Sequence, residues 1–248
     1  MDKAEKKRFF YAILFPTIFV VIIWVVKLVE LQFDISFSSW GIEPRNITGL
    51  KGIVFMPFLH GDMNHLFNNS IPLLILGSSL FYFYRPVAFK VVLWSVLMSG
   101  LWTWISARES YHIGASGLVY SLFGFLFFSG FIRKHFRLIA ISFLVAFLYG
   151  SMVWGIFPID QKVSFEGHFW GMFAGIVLAY VYKDKGLKRK PHVWVDEDER
   201  DEDDPDAYWN KPLQGIQRPS DFSSQGQSKP RPDQEVVYHF KPNDKPSA

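Results

Sequence analysis

Residues 9–31 read FFYAILFPTIFVVIIWVVKLVEL. A hydrocarbon core roughly 30 Å thick is crossed by about twenty helical residues, and a long, nearly uncharged apolar run is the signature of such a crossing. The basic stretch Met1-Asp2-Lys3-Ala4-Glu5-Lys6-Lys7-Arg8 precedes it. That order also opens a secretory signal, but this run is too long and no small-x-small cleavage site follows it. The reading is a first membrane helix that stays in place.

The same pattern recurs along the chain. Spans are expected at about 9–31, 65–84, 87–106, 115–132, 137–155 and 167–183. Inside a bilayer the backbone must satisfy its own hydrogen bonds, so each span is expected to be a helix. The fold class is therefore an all-α membrane protein, a bundle of six transmembrane helices over residues 9–183. Residues 1–8 are read as a cytoplasmic N-terminus and 184–248 as an acidic, disordered cytoplasmic tail. In that tail, residues 196–204 are charged throughout, and Pro, Ser, Gln and Asp dominate afterwards. Such a segment cannot bury enough apolar surface to offset its ordering entropy. Truncation after about residue 190 is expected to leave the core's activity largely unchanged.

Half of the 248 residues are apolar and 18% are aromatic, yet almost none of the apolar blocks fall after residue 182. There is no cysteine, which excludes a disulfide framework, a thiol nucleophile and a cysteine metal site. Lys and Arg cluster in the N-terminal stretch, at Arg85 and Lys90, at Arg133, Lys134 and Arg137, and from Lys183 to Lys190. The alternate loops carry fewer, and those are mixed with acids. By the excess of basic residues on cytoplasmic loops, both termini face the cytoplasm. His135 belongs to one of these basic anchors. The first outside loop, about 33–60, is long, with aromatic residues Trp40, Phe55 and Phe58. It reads as a half-inserted loop rather than a span.

Polar residues at membrane depth are expensive, so each is a candidate for function. Gly114-Ala115-Ser116-Gly117 opens the fourth span at its outside end. Free backbone N–H groups and the positive end of the helix dipole lie there. A glycine-flanked serine at that point is open to close approach. Alone, though, a serine at a helix start is more often a plain cap. Gly167-His168-Phe169-Trp170-Gly171 opens the sixth span, with Gly175 continuing a stripe of small residues every four positions. Such stripes let helices pack closely. If that stripe meets Gly117 and Gly124, Ser116 and His168 come together, and a neutral imidazole can take the serine proton. The plainer reading of His168 is an interfacial histidine. The third cluster runs from His60 to Asn69. His65 and Asn69 lie four apart, on one helix face. Asn69 offers an amide donor at membrane depth, where helix–helix hydrogen bonding is the simpler use. No carboxylate is compellingly placed to orient His168, although Asp160 and Glu166 lie in the last outside loop. A serine–histidine dyad is the better fit.

These three motifs, His60-x4-His65-x3-Asn69, Gly114-x-Ser116-Gly117 and Gly167-His168-x-x-Gly171, resemble the rhomboid family of intramembrane serine proteases in order, spacing and placement. The resemblance covers about residues 10–183. It implies that Ser116 is the nucleophile and His168 the general base. His65, Asn69 and the Ser116 N–H would form the oxyanion hole, with His60 in support. Tyr120 matches a family tyrosine that packs on the catalytic histidine, and it lies one turn from Ser116, on the same face. Gly114, Gly117, Gly167, Gly171 and Gly175 are expected to pack helices. The implied partners are transmembrane protein substrates, with small residues at the cut and helix-weakening residues beyond it. Membrane lipid surrounds the protein. No cofactor, metal or nucleic acid is expected, and a bacterial inner membrane is the expected location. Gly41-x-x-Pro44-Arg45 resembles a common start of the first loop. A Trp-Arg pair carried by many bacterial members is absent, which leaves the anchoring of that loop open.

Three other readings compete with the dyad. A rhomboid-like pseudoprotease would bind membrane proteins without cutting them, but it need not keep both Ser116 and His168. A zinc enzyme using His60, His65 and His168 would leave the glycine-flanked serine unexplained. A channel needs a path across the membrane, which clustering at the outside ends does not supply. His112 reads as an exposed loop histidine.

Overall fold

Asp2 caps the first helix by accepting from the Ala4 and Glu5 backbone N–H groups, and α1 runs from Lys3 to Phe33. It therefore begins before the expected span. Lys and Glu are good helix formers, and the capped start lets the basic stretch join the helix rather than stand apart as a tail. Asp34 ends it in the left-handed conformation, with φ 51°. A computed structural model describes residues 2–134, 136–148, 154–159 and 164–185. The expected tail lies outside the described residues except for Asp184 and Lys185, and so do His135, Asp160 and Lys162.

After α1 the first loop is folded, not loose. Short 3-10 turns at Ser38–Trp40, Ile47–Lys51 and Met56–Phe58 flank the single-turn helix α2, Gly52–Phe55. The longer helices follow: α3 Met63–Phe83, α4 Ala88–Ser106, α5 Ser116–Ile132, α6 Phe136–Leu148 and α7 Phe165–Val181. No strand occurs among the described residues; one isolated antiparallel bridge joins Ile42 to His112. Among the described residues, three helices, α1, α3 and α4, are long and apolar enough to cross a membrane. Helices α5 and α7 are apolar but shorter, at 17 residues each. That is the lower limit for a crossing at about 1.5 Å per residue.

Burial orders these helices. α4 turns Phe89, Leu93, Trp94, Leu101 and Ile105 outward, and α1 exposes Phe10, Ile18, Val21, Val25 and Leu28. An apolar outward face is what a lipid solvent selects. α5 is the central element, packed on α3, α4, α6 and α7, with Gly117, Leu118, Tyr120, Leu122, Gly124, Phe125 and Leu126 all buried. Polar side chains tie the layers. Ser121 donates to Ser95 Oγ at 2.7 Å between α5 and α4, and Trp24 Nε1 donates to Ser70 Oγ at 2.9 Å between α1 and α3. At the other end of α1 and α3, Arg8 donates twice to the Tyr82 carbonyl, at 3.0 and 2.6 Å.

α5 and α7 meet backbone to backbone. A Cβ on Gly171 would land on the Gly117 peptide, and one on Gly175 would land on the Ser121 carbonyl and 2.8 Å from Phe125 N. From the other side, a Cβ on Gly124 would sit 2.8 Å from the Met172 carbonyl. With no hydrophobic drive between helices in lipid, such close approach is how they gain packing energy. This seam sets the positions of what is carried on the N-terminal ends of the two helices.

Candidate active site

Ser116 is the first residue of α5, and its neighbour Gly117 faces α7: a Cβ there would lie 3.3 Å from the Gly167 carbonyl. His168 is the next residue along α7 and is buried, at 7% exposure. The α5–α7 seam thus brings the start of one helix beside the start of the other. Tyr120, one turn into α5, stacks flat on the His168 ring, with centroids 4.2 Å apart and planes 14° apart. His168 Nδ1 lies 2.8 Å from the Gly155 carbonyl oxygen. A carbonyl only accepts, so Nδ1 carries the proton in that bond, and Nε2 of the neutral ring keeps its lone pair. The ring is therefore fixed in plane by Tyr120 and in tautomer by Gly155. A backbone carbonyl orients the histidine here; Glu166 is engaged elsewhere, by Arg108.

The loop before Ser116 carries the other half of the site. Gly114 has φ +116°, a left-handed conformation that side chains avoid. A Cβ there would also sit 2.6 Å from both Cε1 and Nε2 of His65 and 3.7 Å from Ser116 Oγ. Gly114 is thus not part of the α5–α7 stripe. Its missing side chain makes room for the His65 ring beside the serine. Asp62 caps α3 by accepting from the His65 N–H at 2.8 Å, which places His65 in the first turn. Asn69 follows one turn later, buried at 5% exposure, and its Nδ2 has no acceptor among the described residues. An unsatisfied buried donor is destabilising by about 1–3 kcal/mol, so its persistence calls for a reason.

His60 stands behind His65, with ring centroids 5.1 Å apart in an edge-to-face pair. Its Nε2 accepts from the Ala115 N–H at 3.4 Å, which ties it to the serine loop. Burial pushes its pKa down to about 3, so the ring is neutral and can accept. No group of three or more His, Asp or Glu side chains placed to hold a metal ion occurs among the described residues.

Other contacts were not expected from the sequence. His112, read as an exposed loop histidine, is in fact 1% exposed. Its backbone pairs both ways with Ile42, at 3.0 and 2.8 Å, and its ring reaches Ser164 ahead of α7. The first loop is anchored without a Trp-Arg pair. Arg45, at φ 60°, donates from its backbone N–H to the Trp104 carbonyl at 2.9 Å and from its guanidinium to the Ala107 carbonyl at 2.9 Å. Trp104 Nε1 donates back to the Asn46 carbonyl at 2.8 Å. Lys27 of α1 is buried with Glu30 at 3.1 Å and donates to the carbonyls of His60 and Gly61, both at 3.0 Å. Glu30 accepts from the Phe37 N–H at 2.7 Å, so one ion pair holds both ends of the first loop. The signal available in the sequence was two opposite charges three apart in an otherwise apolar run.

The chain matches the Rhomboid domain over residues 48–185, which takes in His60, His65, Asn69, Gly114, Ser116, Tyr120 and His168. Among its relatives are uncharacterized proteins of Mycobacterium tuberculosis and Mycobacterium bovis, each 35% identical over 188 residues, covering 69% of this chain and 77% of theirs. An uncharacterized Mycobacterium leprae protein is 32% identical over 175 residues, covering 66% of this chain and 68% of its own. Together with the apolar helices, this makes the chain an integral membrane protein, and it belongs to the rhomboid family.

Proposed function

We propose that the chain is an intramembrane serine endopeptidase that cuts transmembrane segments of other proteins with a Ser116–His168 dyad. The observation that carries this reading is the His168 ring, held by Tyr120 and bonded at Nδ1 to a carbonyl, with Nε2 left as a base. In this reading Ser116 Oγ attacks the scissile carbonyl carbon as its proton passes to His168 Nε2. The oxyanion is met by the Ser116 N–H, His65 and Asn69 Nδ2, the donor with no acceptor among the described residues. His168 then hands the proton to the leaving amine. Water, activated by the same Nε2, releases the acyl group and restores the serine.

Six spans, both termini in the cytoplasm and cleavage near the outer face complete the proposal. The short α5 and α7 favour it: at 17 residues each, they can begin below the membrane surface, where water must reach. Substrates with small residues at the cut and weak helices beyond it fit such a site, and a bacterial inner membrane is the proposed location. The chemistry requires no cofactor.

The test is labelling of the detergent-purified protein with a serine-reactive fluorophosphonate, beside cleavage of a model transmembrane substrate. Wild type is expected to label and cut, and Ser116→Ala and His168→Ala to do neither while expressing normally. Cutting that survives Ser116→Ala sinks the mechanism. A folded wild type that neither labels nor cuts turns the reading to a noncatalytic binding protein.

A further inference from the structure

The histidine at position 112 plays no part in the proton transfers above, yet it is buried and bonded on every side. Two residues after it, the chain turns through Gly114 into the serine. Its backbone N–H and carbonyl both pair with Ile42 of the first loop. Its Nε2 lies 3.1 Å from the Arg108 carbonyl and 3.4 Å from Ser110 Oγ. Because the carbonyl only accepts, Nε2 carries the proton, and Nδ1 of the neutral ring is an acceptor. Burial lowers the pKa of this ring, which keeps it in that form. Ser164 Oγ sits 2.6 Å from Nδ1, so the serine hydroxyl donates to His112. The same oxygen accepts from the Gly167 N–H at 3.3 Å as the cap of α7. Every proton in this chain has one direction: Gly167 N–H to Ser164, Ser164 O–H to His112, His112 Nε2–H to Arg108.

A second tie runs parallel. The Arg108 N–H donates to Glu166 Oε1 at 3.3 Å, and its Nε lies 3.8 Å from the same oxygen. The Arg108 guanidinium also covers the Phe165 ring, 5.3 Å from its centroid. Both ties join the loop that carries Ser116 to the first turn of the helix that carries His168. The glycine seam, from Gly117 and Gly171 inward to Ser121 and Gly175, fixes how close α5 and α7 lie. The two ties act beyond it, on the loop before Ser116 and on the N-terminal cap and first turn of α7, and so bear on how the two helix starts are registered.

We propose that His112 is a positioning residue that registers the Ser116 loop against the N-terminus of α7 through the Ser164 hydroxyl, holding Ser116 in reach of His168. This rests on the dyad reading above. A misplacement of about 1 Å in a reacting pair can lower a rate a hundredfold while binding is untouched. The register therefore acts on kcat and on the rate of fluorophosphonate labelling, and leaves KM alone.

The experiment uses the full chain in detergent with a transmembrane-segment substrate. Ser116→Ala is run first: cleavage that survives it defeats the dyad itself, apart from anything learned about His112. His112→Leu fills the space without an acceptor, whereas His112→Asn keeps one where Nδ1 stood. The expected result is a fall in kcat and labelling rate of about tenfold or more in His112→Leu, unchanged KM, and substantial recovery in His112→Asn. Ser164→Ala is expected to show a similar loss, and the two losses are expected not to add when combined, since both remove one contact. Wild-type kcat in folded His112→Leu overturns the proposal. So does a His112→Asn variant that regains thermal stability without regaining kcat. If His112→Leu does not fold, Ser164→Ala carries the test, and a wild-type kcat and labelling rate in folded Ser164→Ala overturns the proposal.

Discussion

Asn69 carries a conflict between stability and catalysis in a single amide. Its Nδ2 is buried with no acceptor among the described residues, which opposes folding; under the proposed mechanism the same donor meets the oxyanion. Removal of one such donor typically lowers kcat by about a hundredfold or more. Asn69→Ala is therefore expected to lose activity on that order while melting at or slightly above the wild-type temperature. A parallel fall in melting temperature and activity would mark Asn69 as structural. Lys27 presents the opposite case, a charge that is fully satisfied. Lys27→Met strands the Glu30 carboxylate in the interior, and breaking a buried pair from one side destabilises by about 3–5 kcal/mol. In Lys27→Met with Glu30→Gln, a neutral amide still accepts from the Phe37 N–H, so part of that loss is expected to return. Thermal melts of the two variants decide it; a single variant as stable as wild type would show that the pair does not hold the loop.

At the scale of elements, the glycines separate by what lies opposite them. Gly171 and Gly175 of α7 face backbone of α5, which cannot move aside. Gly61 has only Ile113 Cδ1 near it, at 4.0 Å. Gly175→Ala is expected to destabilise by about 3 kcal/mol or more and to abolish cleavage, because helix separation carries the serine away from the histidine. Gly61→Ala is expected to be tolerated within about 0.5 kcal/mol. Equal melting temperatures for the two would refute the backbone seam. This seam could be read in advance because a period of four is a property of the sequence, as were the helix starts at Ser116 and near His168. The first loop could not. Arg45 at positive φ, the Ile42–His112 bridge and Trp104 reaching Asn46 are contacts between segments far apart in the chain, and no local pattern encodes them. His112 was misread for the same reason. A histidine in a polar loop looks exposed until the loop is folded against α7.

For the molecule as a whole, the end of the bundle that carries Ser116 and His168 is a polar layer built on apolar helices, and its buried histidines are expected to make stability depend on acid. His60 and His112 both lie outside the spanning helices, and burial lowers both pKa values, that of His60 to about 3. The unfolded chain takes up a proton at each near pH 6.5, whereas in the folded chain each titrates below that, His60 at about 3. Stability from these groups is therefore full above about pH 6.5 and is lost as pH falls, down toward about 3 for His60. His60 contributes a slope of up to about 1.4 kcal/mol per pH unit in that window. The wild-type melting temperature in detergent is expected to fall steadily between pH 7 and pH 4. His60→Gln retains an acceptor for the Ala115 N–H but cannot titrate, so its melting temperature is expected to fall less steeply over the same range. Parallel curves for the two proteins would mean that His60 is protonated without opening the site, and the acid sensitivity would have to come from other groups.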